Sequence, residues 1–374
     1  MGLFDFLKKK NSQNTVSNAG NPKADVRLNV SVAMDDGVVP AEKRIKSAIP
    51  SRNNGLYPHE ILVLDYADSF YTQDNDYQQF WWHSYGVKSV DMVLLSLQER
   101  GLITIAPVTA TLEKKTIPVL RELLTEYGLD TKGKKAILIQ RIVDAIPENE
   151  LAKHFPKRMY MRTEKGEAEL KSEEYVSYIH RHSIENLDIW SLNKLVYGSK
   201  QRLPYRDVIW GFLNKKSKEH FSANDFGLYR NCRFTMSTFL KEEGNIKGEL
   251  EMLAEVVFYD LSGAGNNYNP EYLYIIASHF FPYEESLATT APGIINRIFT
   301  CQEKLSLTDE ELREVMAKHM EKLSAPIQLF TIKECVDIVF FEHEGDKGAL
   351  EKTYQLAEKR FRKKYPNLKK NPFA

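Results

Sequence analysis

Four basic side chains near the middle of the chain have the types and the spacing to bind an anion. Lys132, Lys134 and Lys135 surround Gly133, and Arg141 lies seven positions after Lys134, on the same side of a helix. The residues that follow have helical periodicity, which predicts that a helix begins near these lysines. The first amide groups of a helix lack partners within it, and its dipole is positive there, so the cluster suits a phosphate group.

Two predicted helices position this cluster. The first presents an apolar face made of Leu120, Leu123, Leu124 and Tyr127. Gly128 permits the left-handed turn that ends this helix, and Leu129 fills the corner. The second begins near 131–134, and its apolar face consists of Leu138, Ile139, Ile142, Val143 and Ile146. The pattern predicts a helix–loop–helix module with the basic residues on its outer side.

The charge of this module differs from that of the whole chain. The 51 basic and 51 acidic residues of the chain cancel, so any attraction to DNA must be local. Between Lys114 and Ile146, seven basic side chains oppose four acidic ones, which leaves a net charge of +3. The basic ones are Lys114, Lys115, Arg121, Lys132, Lys134, Lys135 and Arg141.

The stretch TIPVLRELLTEYGLDTKGKKAILIQRIVDAI resembles the SAP motif along essentially its full length. A leucine-rich helix, a Gly-Leu turn, a Gly-Lys loop and a second helix with an Arg and branched aliphatics all follow the family pattern. The resemblance implies binding of double-stranded DNA, with loose and often AT-leaning specificity. Contacts to phosphate position a protein without specifying sequence. The predicted DNA-binding residues are Lys115, Arg121, Lys132, Gly133, Lys134, Lys135 and Arg141.

An alternative interpretation makes the module purely structural. Ile137 lies on the polar side of the second helix, and modest basic patches are common on solvated helices. On this interpretation the protein is a scaffold for protein–protein interaction. We nevertheless favour a DNA-binding accessory protein whose helical C-terminal region binds a protein partner.

The segments on either side of the module resemble two halves of a winged-helix domain. SVDMVLLSLQERGLITIA predicts a helix capped by Ser89, ended by Gly101 and followed by a strand, with Val90, Leu94, Leu97 and Leu102 in the core. KRMYMRTEKGEAEL predicts a second strand and a helix that starts at Thr163. The module is then an insertion in the hairpin, which costs little because loop-closure entropy grows slowly with length.

These patterns predict a mainly α fold. We expect a disordered leader over 1–55, a winged-helix-like body over 56–112 and 156–171, the SAP-like module over 113–155, and an all-helical, repeat-like region over 172–374. The polar leader is rich in Asn, Ser, Pro and Gly. After position 172 only helical periods separated by loops are found.

Enzymatic and metal chemistry find little support in the sequence. Asp65, Asp68, Asp74 and Asp76 precede aromatic residues and a histidine, which gives a nucleic-acid hydrolase as a third, disfavoured alternative. His180 and His182 lack further zinc ligands at a recognisable spacing. No nucleotide-binding or hydrolase motif is found. We therefore expect no catalytic residue, no metal and no cofactor.

The cysteines and the hydropathy favour a cytoplasmic protein. Cys232, Cys301 and Cys335 lie far apart and form no CxxC pair, which argues against both a disulfide framework and a thiolate zinc site. The order of apolar and basic residues in MGLFDFLKKK is the reverse of that in a signal peptide. No segment approaches the length of a membrane span.

Overall fold

The computed structural model describes residues 41–73, 75–198, 202–265 and 270–368, and the chain divides into two compact units after Ser172. Nineteen α-helices and a single two-stranded sheet are found within these described ranges. The predicted mainly α fold is therefore confirmed. Within the same ranges, every helix is too short or too polar to cross a membrane.

The body of the first unit is built from five α-helices and two strands within the described residues. They are α1 (Ala41–Ser47), α2 (Pro58–Tyr66), α3 (Phe80–His83), α4 (Val90–Glu99), β1 (Ile103–Ile105), β2 (Tyr160–Arg162) and α9 (Glu164–Ser172). The helices of the inserted module lie between β1 and β2 in the chain and are described below. Val90, Leu94, Leu97 and Leu102 are all buried, as predicted. Ser89 caps α4 by accepting a hydrogen bond from the Met92 amide at 3.3 Å.

The prediction of a disordered leader over 1–55 is wrong for residues 41–55. Residues 1–40 lie outside the described residues, but 41–47 form α1 and the following segment joins the core. The Ser51 hydroxyl is buried and donates to Glu169, while the Asn54 amide donates to the other oxygen of Glu169 at 2.6 Å. These polar side chains gain hydrogen-bond partners more than 100 positions away, which local composition does not reveal.

The inserted module lies between two strands that pair with each other. β1 and β2 pair antiparallel, with Ile103 opposite Arg162 and Ile105 opposite Tyr160. The Thr163 hydroxyl accepts from the Gly166 amide at 3.1 Å, at the predicted start of α9. Gly166 is required there, because a Cβ atom at this position would lie 2.1 Å from the carbonyl oxygen of Leu102. The likeness of this body to a winged helix stays a prediction.

The inserted module consists of four helices rather than two. α5 (Val108–Lys114) and α8 (Glu148–His154) flank the two predicted helices, α6 (Ile117–Glu126) and α7 (Lys135–Ala145). The four share a core of Val108, Leu112, Leu120, Leu123, Leu124, Leu138, Ile142, Ile146 and Leu151. Two predicted core residues are exposed instead. Val143 lies at the edge of the apolar face of α7, and Tyr127, at the end of α6, turns outward and bonds His154 at 3.0 Å.

The second unit is helical throughout its described residues, as predicted. Its α-helices are α10 (Glu174–Arg181), α11 (Ile189–Tyr197), α12 (Tyr205–Ser222), α13 (Phe226–Glu242), α14 (Ile246–Ser262), α15 (Leu273–Ile276), α16 (Pro292–Leu305), α17 (Asp309–Met320), α18 (Ile332–Glu344) and α19 (Lys347–Lys364). Successive helices α12, α13 and α14 pack as hairpins with short turns. Most of α14 is buried at the centre of the main apolar core of this unit.

Candidate nucleic-acid interface

The loop between α6 and α7 presents the basic cluster. α6 ends at Glu126, and Gly128 takes the predicted left-handed conformation with φ of 63°. α7 begins at Lys135 with Lys134 as its cap residue, and no side chain caps this end. The first helical hydrogen bonds are donated by the amides of Ile137 and Leu138 to the Lys134 carbonyl. The amides of Lys135 and Ala136 precede them at the positive end of the helix dipole.

Arg141 holds this loop from within the module. Its guanidinium donates to the main-chain carbonyls of Asp130 and Lys132, the latter at 3.0 Å, and lies 3.4 Å from the Asp130 carboxylate. The other oxygen of that carboxylate accepts from the Lys132 amide at 3.0 Å, which closes a tight turn. Arg141 was predicted to contact phosphate. Its hydrogen bonds instead give it a role in shaping the loop.

Three further predicted DNA-binding side chains also have partners inside the module. Arg121 Nε donates to the Thr131 carbonyl at 3.2 Å. Lys135 Nζ donates to the carbonyl of Glu113 at 2.6 Å. Lys115 Nζ lies 5.3 Å from the centre of the Phe155 ring, in a cation–π contact. These contacts reduce the capacity of all three side chains to bind an external anion.

Lys132 and Lys134 are different, because their ammonium groups point into solvent. Both side chains are exposed, and neither ammonium group has a hydrogen-bond or ion-pair partner among the described residues. Gly133 separates them with φ of 130°, and a Cβ atom there would lie 3.1 Å from Ile137 Cγ2. The loop therefore presents two free positive charges beside an uncapped helix end.

The sequence pattern located this site but did not show which basic side chains bond the loop and which are free. Arg121 and Arg141 have the residue type of phosphate ligands, and their main-chain acceptors carry no sequence signature. One signal was available: an Asp in a loop, two positions before a lysine, favours a turn closed by its own side chain. Such a turn leaves carbonyl oxygens that a nearby arginine can bind.

The structure describes part of the acidic cluster on which the hydrolase alternative depends. Asp68 pairs with Arg162 at 2.7 Å in the body of the first unit. Asp76 is exposed, and Asp74 lies outside the described residues. A carboxylate neutralised by an arginine is a poor ligand for a catalytic cation.

Comparison with known families supports the assignment of the module. Residues 111–147 match the family model of the SAP domain. The predicted SAP resemblance is therefore confirmed for this segment, which is 37 of the 374 residues. A SAP domain indicates binding of nucleic acid in general. No curated protein and no solved structure matches the chain.

Proposed function

We propose that this chain is a non-enzymatic DNA-binding protein that uses its SAP domain to bind the phosphates of double-stranded DNA. The observation that carries the proposal is the pair of free ammonium groups, on Lys132 and Lys134, beside the uncapped start of α7. Positive charge and free amide groups converge there on one small surface. A phosphate oxygen is the acceptor that such donors suit best.

The other basic residues support the interface indirectly. Arg141 and Arg121 fix the carbonyl groups of 130–132, and Lys135 ties the start of α7 to the end of α5. The loop is thereby ordered before DNA binds, so binding orders less of the chain and loses less entropy. These three side chains are positioning residues for Lys132 and Lys134.

The expected specificity is low. A lysine ammonium acts as a point charge, without the planar fork through which arginine reads guanine. Of the arginines in the module, Arg121 and Arg141 are occupied by main-chain carbonyls. Affinity should therefore depend strongly on salt and weakly on sequence. The second unit would bind a protein partner.

A salt titration tests the proposal. Fluorescence anisotropy with a labelled duplex measures the affinity of the full chain between about 50 and 200 mM NaCl. Replacing both lysines, Lys132→Ala with Lys134→Ala, should reduce the slope of log K against log salt by about 1.8, since each phosphate contact contributes about 0.9. At 0.15 M salt the same relation gives a loss of affinity of about thirtyfold.

A second double variant with the same change of charge serves as the control. Lys215 and Lys333 have side chains 76% and 85% exposed and belong to the second unit, so alanine at both removes two charges outside the SAP domain. Its affinity and salt slope should match those of the wild type. Equal binding by the Lys132/Lys134 variant and the wild type would reject this site. An absence of DNA binding by the wild type would favour the scaffold interpretation, in which exposed Ile137 contacts a protein.

A further inference from the structure

Three side chains of the second unit that can each bind a metal lie together, although the sequence separates them. Glu185 is in the loop between α10 and α11, His220 is in the last turn of α12, and Cys232 is in the second turn of α13. The short turn between α12 and α13 brings the last two together. One possible ligand atom from each residue lies within 4.8 Å of the others.

The Glu185 carboxylate bridges the other two groups. The Cys232 thiol donates to Oε1 at 2.9 Å, and His220 Nε2 lies 3.4 Å from Oε2. Cys232 is buried, while the side chains of His220 and Glu185 are only 16% and 19% exposed. The backbone of Glu185 has φ of 49°, a left-handed conformation that is uncommon for a residue other than glycine. The cluster thus combines three donor types around a buried thiol, with Glu185 at its exposed edge.

A fourth polar side chain is buried beside the cluster. Ser217 lies one turn before His220 on α12, is 1% exposed and sits beside the Cys232 thiol. Its hydroxyl is within hydrogen-bonding reach of that thiol and has no other partner among the described residues. A metal-bound thiolate would be a stronger acceptor for this hydroxyl than the neutral thiol.

We propose that Glu185, His220 and Cys232 bind a Zn²⁺ ion. Thiolate, imidazole and carboxylate together suit zinc, whereas Mg²⁺ and Ca²⁺ prefer oxygen ligands alone. Around tetrahedral zinc, sulfur and nitrogen ligands at roughly 2.3 and 2.0 Å lie about 3.5 Å apart. The observed separations therefore need to change by no more than about 1.5 Å, which side-chain rotation can supply.

Binding exchanges one proton for the ion. Zinc takes the place of the proton that Cys232 shares with Glu185, and that proton leaves to solvent. Water completes the coordination on the side where His220 and Glu185 are partly exposed. The bound ion would fasten the loop between α10 and α11 to the α12–α13 hairpin.

Cobalt is the probe for the first test, because a thiolate bound to Co²⁺ gives a charge-transfer band in the near ultraviolet. The full chain without an affinity tag should bind one Co²⁺ with this band, and Zn²⁺ should displace it. Cys232→Ser should lose the band. Cys335→Ser, which changes another fully buried cysteine outside the cluster, should keep it.

Two milder variants keep the test decisive if Cys232→Ser does not fold. His220→Gln and Glu185→Gln should each weaken Zn²⁺ binding at least about tenfold in calorimetry, with circular dichroism unchanged. A wild type that takes up no Co²⁺ at one per chain would overturn the proposal. A thiolate band that persists in folded Cys232→Ser would overturn it as well, because the ion would then be bound elsewhere.

Discussion

Replacing Arg141 by lysine separates a loop-shaping role from a phosphate contact. The change keeps the charge but removes the fork that bonds the carbonyls of Asp130 and Lys132. A hydrogen bond to a charged group contributes about 1.5–3 kcal/mol, and solvent screens part of this because the Arg141 side chain is 27% exposed. Since lysine can retain one of the bonds, we expect the module to lose about 1–2 kcal/mol.

Hydrogen exchange of the amides in α7 measures this loss directly. Protection should fall by about 5- to 30-fold in Arg141→Lys, which corresponds to that free energy. Arg121→Lys loses a single bond, to Thr131, and should show about half the effect. In DNA binding, Arg141→Lys should keep the wild-type salt slope because the charge is unchanged. Unchanged protection of α7 in Arg141→Lys would refute the loop-shaping role of Arg141. A salt slope reduced by about 0.9 in Arg141→Gln, with α7 still protected, would instead make Arg141 a phosphate ligand.

Two further predictions concern stability. Gly166→Ala should destabilise the first unit by about 1–3 kcal/mol or more in urea unfolding, since its Cβ would overlap the Leu102 carbonyl oxygen. Gly211→Ala is the control: the added atom in α12 meets open space, so this variant should be neutral or more stable than the wild type. Equal effects of the two substitutions would contradict this packing. Burial lowers the pKa of His59 from 6.5 to about 4, so the unfolded state binds more protons between these values and stability falls as the pH is lowered. Unfolding at pH 7 and pH 5 should differ by about 2 kcal/mol from this residue, and His59→Phe should remove that difference; an identical pH dependence in the variant would show that His59 is not the cause.

Local signals in the sequence predicted much of the fold correctly. Ser89, Gly101, Gly128 and Thr163 mark helix ends by capping or by left-handed backbone, and the structure places helix ends at each of them. Such signals depend on neighbours within a few positions, which makes them readable from one sequence. The outer helices α5 and α8 were missed because each is only 7 residues long and is stabilised by packing on α6 and α7.

The sequence by itself determined the SAP segment and the position of its basic loop, because helix periodicity, a turn glycine and lysine spacing are local properties. Only the tertiary structure decided which basic groups are free. The Arg141 guanidinium donates to main-chain carbonyls, whereas the Lys132 ammonium group has no partner among the described residues. This difference depends on how the loop folds back on α7. The same holds for Glu185, His220 and Cys232, whose spacing matches no metal motif. Helix packing brings them together, and packing is set by contacts between residues far apart in the chain.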